Sequence, residues 1–202
     1  MNQYRNVFER FVPKNAVEYC LKLYNYFGFE FKIKKSRQTK LGDYRYDHQT
    51  KKHTITINND LNQYAFLLTY LHEVAHLITF QEFKNKVPPH GQEWKSAFRK
   101  VVEPVLNNDV FHPAVMAALT NYFKNPKASS CSDPTLYNVL RKFDEPDGQV
   151  SLKSLPPGSQ FVFNDRLFKK IEKKRTRSVC IELESGRKYL IAEIASVKVV
   201  KN

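Results

Sequence analysis

The chain has 202 residues, of which 42% are hydrophobic, and a formal net charge of +13 from 33 Lys and Arg against 20 Asp and Glu. That is enough apolar material for one medium domain, or one domain with a small appendage. The three cysteines, Cys20, Cys131 and Cys180, lie far apart and form no C-x-x-C, which excludes a disulfide framework and a Cys-based zinc ribbon.

The first ten residues lack the apolar stretch of a signal peptide, and no segment approaches transmembrane length. A cytoplasmic location with no membrane partner is therefore expected. The excess of positive charge favours polyanionic partners such as nucleic acid, although a basic surface kept for solubility reads the same way.

Apolar residues at helical spacing from Val7 to Phe27 predict one or two helices around Pro13, stopped by Gly28. Phe29 to Lys34 alternates as a strand does. Leu41–Asp47 and His53–Asn58 read as two further strands joined by a polar turn. The apolar run Tyr64 to Phe80 suits a buried helix, with Asn59, Asp60 or Asn62 as its cap. Past Val87-Pro88-Pro89 a helix runs to about Val102, before Pro104. Another covers Pro113 to Phe123, then comes a polar loop to Pro134 and a short helix, Thr135 to Phe143. Residues 144–158 read as an acidic linker with Pro and Gly. Phe161–Phe163, Leu167–Ile171, Ser178–Leu183, Lys188–Ile191 and Val197–Val200 are short strands split by tight turns. They predict a small SH3-like or OB-like β-barrel over residues 159–202.

Within the apolar run lies His72-Glu73-Val74-Ala75-His76. Helical geometry puts His72 and His76 one turn apart, so both imidazoles can reach one metal ion. Glu73 leans to the side, where it can act on a water without being a ligand. A chance H-E-x-x-H would fall anywhere, loops included. Here it sits mid-helix, beside Phe66, Leu67, Tyr70, Val74, Leu77 and Ile78, which can pack against the protein, while Thr69, His72, Glu73, His76 and Phe80 form the neighbouring stripe. Buried polar groups there would each need a partner, and one metal satisfies both His.

A catalytic zinc usually takes three protein ligands. The metzincin pattern is disfavoured, because Thr79 and Glu82 stand where Gly and His would be needed. His90 is the favoured third ligand: Pro88-Pro89 fix its approach, and Gly91 allows a tight backbone. Glu93, one turn further on, is its rival. His48, His53 and His112 read as ordinary polar residues, although His112 could approach the site. Tyr44, Tyr70 and His112 are candidate oxyanion donors.

With His90-Gly91-Gln92-Glu93-Trp94 following the first motif, the stretch from about Phe29 to Leu106 resembles the SprT-like (Spartan-type) zinc metalloproteases. The resemblance implies one Zn2+ held by His72, His76 and His90, with Glu73 as catalytic base. It implies an α+β, zincin-like domain over residues 1–143, with a small antiparallel sheet packed on helices. It also suggests DNA-associated proteolysis, including protein–DNA crosslinks as substrates. Two departures from that family's pattern stand out: Leu41-Gly42-Asp43-Tyr44 takes the place of an aromatic-Gly-x-Cys segment and has no Cys, and no Cys-based ribbon follows the domain. The pattern is that of a bacterial branch with a different accessory module.

In that module Arg166, Lys169, Lys170, Lys173, Lys174, Arg175 and Arg177 crowd one hairpin. They could track a phosphate backbone, or could equally be a charged turn that discourages edge pairing. The leading expectation is a zinc-dependent metallopeptidase acting on protein substrates, with DNA as a partner. The alternatives are a zinc hydrolase of non-protein substrates and a nucleic-acid-binding protein with a structural or vestigial zinc site.

Overall fold

The computed structural model describes residues 3–37, 39–124, 126, 133–144 and 149–200; Cys131 and most of the 124–134 loop lie outside these. The chain divides into two compact units, Met1–Asp144 and Glu145–Asn202.

The first unit opens with α1 (Gln3–Phe11) and α2 (Val17–Phe27), separated at Pro13. Gly28 ends α2 in the left-handed conformation at φ 61°, its N–H donating to the Tyr24 carbonyl, a backbone state that costs glycine little. Three strands follow: β1 (Glu30–Lys34), β2 (Gly42–Asp47) and β3 (Lys52–Asn58). Their order is β1-β3-β2. β1 runs parallel to β3, pairing Phe31 with Ile55, while β2 runs antiparallel to it, pairing Tyr44 with Ile55. The sheet is therefore mixed, not antiparallel as the sequence suggested. Only β2 and β3 are joined by a tight turn; β1 reaches its place through the long strap before β2.

α3 (Gln63–Phe83) is the centre of this unit. Asn62 caps it, accepting from the N–H groups of Tyr64 and Ala65. The helix is apolar nearly all round, so it is buried on most sides, with Phe66, Leu67, Tyr70, Leu71, Val74, Ala75 and Leu77 in the core. The sheet covers one side and α4 (Gln92–Val102) another. An aromatic knot of Phe8, Phe31 and Tyr70, with ring centroids 5.1–5.5 Å apart, ties α1, β1 and α3 together. α5 (Pro113–Tyr122) and α6 (Pro134–Leu140) complete the unit.

The second unit contains β4 (Gln149–Ser151), β5 (Gln160–Phe163), β6 (Arg166–Lys173), β7 (Arg177–Glu182), β8 (Lys188–Ala192) and β9 (Ser196–Val199). The expected barrel is overturned: the strands form one open six-stranded sheet in the order β4-β9-β5-β6-β7-β8. Closure would need β8 to pair with β4. Instead the single turn Leu152–Ser154 follows β4 and takes up the free backbone groups just beyond β8. Leu152 N–H donates to the Ala195 carbonyl at 2.9 Å and Lys153 N–H to that of Glu193 at 2.8 Å. β4 itself lies in the stretch read as linker. Leu152, Phe161, Phe168, Cys180, Ile191 and Val197 form a small core of their own.

Candidate metal centre

α3 carries His72, Glu73 and His76 on the side that meets α4 and β2. The loop between α3 and α4 brings His90 to them. His90 has φ 65°, a left-handed backbone state that costs a non-glycine residue about 1–3 kcal/mol and persists only where its surroundings enforce it. Pro88 and Pro89 precede it, and Gly91 follows, its N–H bonded to the Pro88 carbonyl at 3.0 Å. A Cβ on Gly91 would sit 3.0 Å from that same oxygen.

The three Nε2 atoms converge. They lie 3.1 Å (His72–His76), 2.9 Å (His76–His90) and 3.2 Å (His72–His90) apart. Three N–H···N bonds cannot close such a triangle, because each would bend far from linearity. Three lone pairs directed at one point can. Ligands around a tetrahedral zinc at about 2.0–2.1 Å stand roughly 3.3 Å from one another, close to the separations found. Burial holds all three imidazoles below their ordinary pKa: His72 far below, with His76 and His90 adding to the effect; His76 at about 3, with His90 adding; and His90 by burial alone. They are neutral at pH 7 and can donate lone pairs. Donor set and spacing therefore fit a divalent cation of the zinc type. Among the described residues this is the one His, Cys, Asp and Glu cluster with such convergence. Glu93 is not part of it, so the loop-borne imidazole takes the third corner.

Glu73 is only 6% exposed. Burial pushes its carboxyl up to about 8 in the metal-free chain, and Asp43 adds to the rise. The Tyr44 backbone N–H, which bonds the carboxylate, pulls the other way, as do Arg37 and Lys40. That N–H belongs to β2, the edge strand of the sheet. Asn58 fixes the strap before it: its N–H donates to the Leu41 carbonyl and its side chain to that of Lys40, both at 2.9 Å. Gly42 then passes so close that a Cβ there would lie 2.6 Å from Glu73 Oε1.

The site opens into a cavity of about 470 Å³, walled by residues 39–44 on one side and by Phe98 and Tyr122 on another. Trp94 lies against all three histidine rings. Its Nε1 is buried without a hydrogen-bond partner, a cost of about 1–3 kcal/mol. The sequence did not single out Phe98 or Tyr122, and it named Gly42 only within the segment Leu41-Gly42-Asp43-Tyr44, without its approach to Glu73. Their roles depend on close approach across elements, which no local pattern signals.

The three candidate oxyanion donors separate. Tyr70 is fully buried and its hydroxyl is committed to the Cys20 carbonyl at 2.9 Å, which removes it. His112 caps α5, accepting from the Ala114 N–H, and is not among the cavity-lining residues. Tyr44 does line the cavity, with its hydroxyl 2.8 Å from His53 Nδ1.

In the second unit Lys173, Lys174, Arg175 and Arg177 fall within a continuous exposed run, 171–177, and Lys169 is also exposed. Lys170 departs from expectation: it is 2% exposed, donates to the Leu152 carbonyl at 2.8 Å and pairs with Glu193 at 3.2 Å. It alternates with Phe168 onto the inner face of the sheet, so it is not a surface cation. Arg166 is paired with Glu182 and donates to the Tyr189 hydroxyl.

A helix presenting H-E-x-x-H, a third imidazole from the following loop and a buried glutamate beside them form the arrangement typical of a zinc metalloprotease active site. The SprT-like family profile matches residues 8–112, just over half of the sequence, and the chain belongs to that family. Proteins named SprT from Pseudomonas fluorescens are similar to it. The strain Pf-5 protein is 38% identical over 63 residues, covering 31% of this chain and 38% of the relative. The strain SBW25 protein is 45% identical over 42 residues, covering 21% and 26%. The matched segment thus spans less than two-fifths of these relatives. No solved structure matches the chain. No helix among the described residues is long and apolar enough to cross a membrane.

Proposed function

We propose that the protein is a zinc-dependent metallopeptidase that hydrolyses peptide bonds with Glu73 as general base and His72, His76 and His90 as the metal ligands. The observation that carries this reading is the convergence of three neutral imidazoles beside a buried carboxylate that is not one of the ligands. A purely structural site has no use for that carboxylate. A zinc ion held there supplies Lewis acidity, polarising a substrate carbonyl and making water a stronger acid.

Glu73 then takes the proton of the attacking water on a carboxylate oxygen and delivers it to the leaving amine nitrogen. The Tyr44 N–H and the close passage of Gly42 hold that carboxylate in one orientation. Phe98 and Trp94 keep the wall behind the imidazoles apolar. The extended wall of residues 39–44 offers a polypeptide substrate a strand to lie beside.

The finer reading is that the substrates are proteins bound or crosslinked to DNA. Its support is the net charge of +13 and the exposed basic run at the β6–β7 turn. Lys169, Lys173, Lys174, Arg175 and Arg177 are the proposed phosphate contacts, in a cytoplasmic protein. The deciding experiment is cleavage of casein and of histones, with and without DNA and with and without a chelator. Chelator-sensitive cleavage is expected, faster for histones when DNA is present. Absence of cleavage from a zinc-loaded chain removes the peptidase reading. Cleavage indifferent to DNA, or DNA binding indifferent to salt, removes the nucleic-acid part alone.

A further inference from the structure

Metal-binding histidines generally send their second ring nitrogen to a carboxylate, a carbonyl or water, and that bond sets the ring's angle. Here the close polar contacts of the His72, His76 and His90 rings among the described residues are those between their Nε2 atoms, and none involves an Nδ1. A packing contact can supply that orientation too, since the imidazole's terminal torsion is intrinsically broad.

One side chain touches all three. The Trp94 ring centroid lies 4.6 Å from that of His72, 5.4 Å from His76 and 4.7 Å from His90. The indole is fully buried and stacked on Phe98, at 5.0 Å and 27°. It rises from the first turn of α4, the helix that begins just after His90. Its N–H finds no partner among the described residues, so the position uses the flat ring and not the polar handle.

We propose that Trp94 is the positioning residue of the metal centre: its plate holds the three imidazoles in converging orientations before an ion arrives, and so sets the affinity for that ion. In sites built by hydrogen bonds each ligand is oriented separately. A shared plate couples the three, so that loosening it disorders all of them together. This inference rests on the proposed function only in requiring that an ion binds there.

The test uses the full chain, stripped of metal and titrated with Zn2+ against a chelating indicator, then with Co2+ read by its ligand-field absorption. Trp94→Ala and Trp94→Leu remove the plate, Leu keeping more of the volume; Trp94→Phe restores a flat ring. Loss of an outer-shell partner typically weakens a metal site by about 10- to 100-fold, and the same loss is expected for Ala and Leu, with a changed Co2+ spectrum. Phe should recover most of the affinity. Because this is the only tryptophan, quenching of its emission by Co2+ in the parent chain reports ion arrival independently of catalysis.

A purely structural tryptophan would lower the melting temperature of the metal-free chain while leaving its affinity for Zn2+ alone. Should the Ala variant not fold, Leu and Phe carry the comparison. A folded Leu variant with parental affinity and spectrum, or Phe binding no tighter than Leu, overturns the inference. A parental chain that binds no ion overturns the metal reading itself, which keeps the two failures apart.

Discussion

Both units bury charge-bearing side chains, and they do so in opposite ways. In the second unit most of the buried groups pair with one another, Glu193 Oε2 being the exception among the described residues. Lys170 meets Glu193 and the Leu152 carbonyl, Ser178 donates to Glu193, and Glu182 accepts from Arg166 and Ser185. In the first unit three imidazoles face one another with nothing but lone pairs to share, and Glu73 holds a single backbone N–H in a site that raises its pKa. Burial of a polar group without a partner costs free energy. A self-paired cluster is therefore explained by the fold. A convergent, unpaired one is explained only by what it binds.

The sharpest way to break that contrast is at Glu73. Glu73→Gln keeps the shape and removes the base, so casein cleavage should fall by about 10²- to 10⁴-fold, with zinc content by elemental analysis unchanged. His76→Ala should instead lose the metal. Full cleavage by the Gln variant would return Glu73 to the class of merely buried residues.

The corresponding cut in the second unit is Lys170→Met. Glu193, 5% exposed, would be left buried without its countercharge, with Ser178 as its remaining partner, a cost of about 3–5 kcal/mol. Because the only tryptophan lies in the first unit, its emission should melt as before, while amide protection across residues 149–200 collapses. Adding Glu193→Leu should restore protection, since replacing both partners of a buried pair by apolar groups is often neutral or better. Unaltered exchange in the single variant would mean that the pair is not holding the sheet.

The same contrast explains what the sequence could reveal. His72, Glu73 and His76 were legible because the helical period fixes their relation within five residues; the cap was narrowed only to Asn59, Asp60 or Asn62, of which the structure uses Asn62. His90 could be read from the rigid Pro88-Pro89 approach. Lys170 was read as surface because lysine usually is; its partner Glu193 comes two strands later in the sequence. Five of the six strands of the second unit were legible, but closure depends on whether the first and last of them meet, and no local pattern encodes that. β4, only three residues long, carried too little alternation to be seen in a stretch with Pro and Gly. In the first sheet, the parallel pairing of β1 with β3 was hidden for the same reason: it is a choice between distant segments.

A smaller perturbation sharpens the first side of the comparison. Gly42 has no Cβ where one would stand 2.6 Å from Glu73 Oε1 and 2.7 Å from Thr69 Cγ2. Gly42→Ala should therefore overpack the site, at about 1–3 kcal/mol of stability. It should also turn the carboxylate, lowering kcat with little change in zinc content. If β2 simply moved aside, stability and kcat would both remain parental.

The smallest effect expected concerns another ion pair of the second unit, Arg166 with Glu182. The Arg166 guanidinium and the Ser185 hydroxyl hold the Glu182 carboxyl down to about 2, from an ordinary 4.5, with Arg187 a minor contributor. The folded state therefore binds that proton more weakly than the unfolded chain does. Its contribution is complete above about pH 4.5 and is lost as pH falls toward 2. Arg166 is 42% exposed, so solvent screens the pair and the effect should be modest. Glu182→Gln should lower stability at pH 7 and flatten the acid limb between those values, read as amide exchange in residues 149–200 against pH. Glu193 is also held below its ordinary pKa: burial raises it, but Ser178 and Lys170 outweigh that. Part of the acid limb should therefore survive in the Gln variant. An acid limb identical to the parent's would mean that Glu182 is paired in geometry but not in energy.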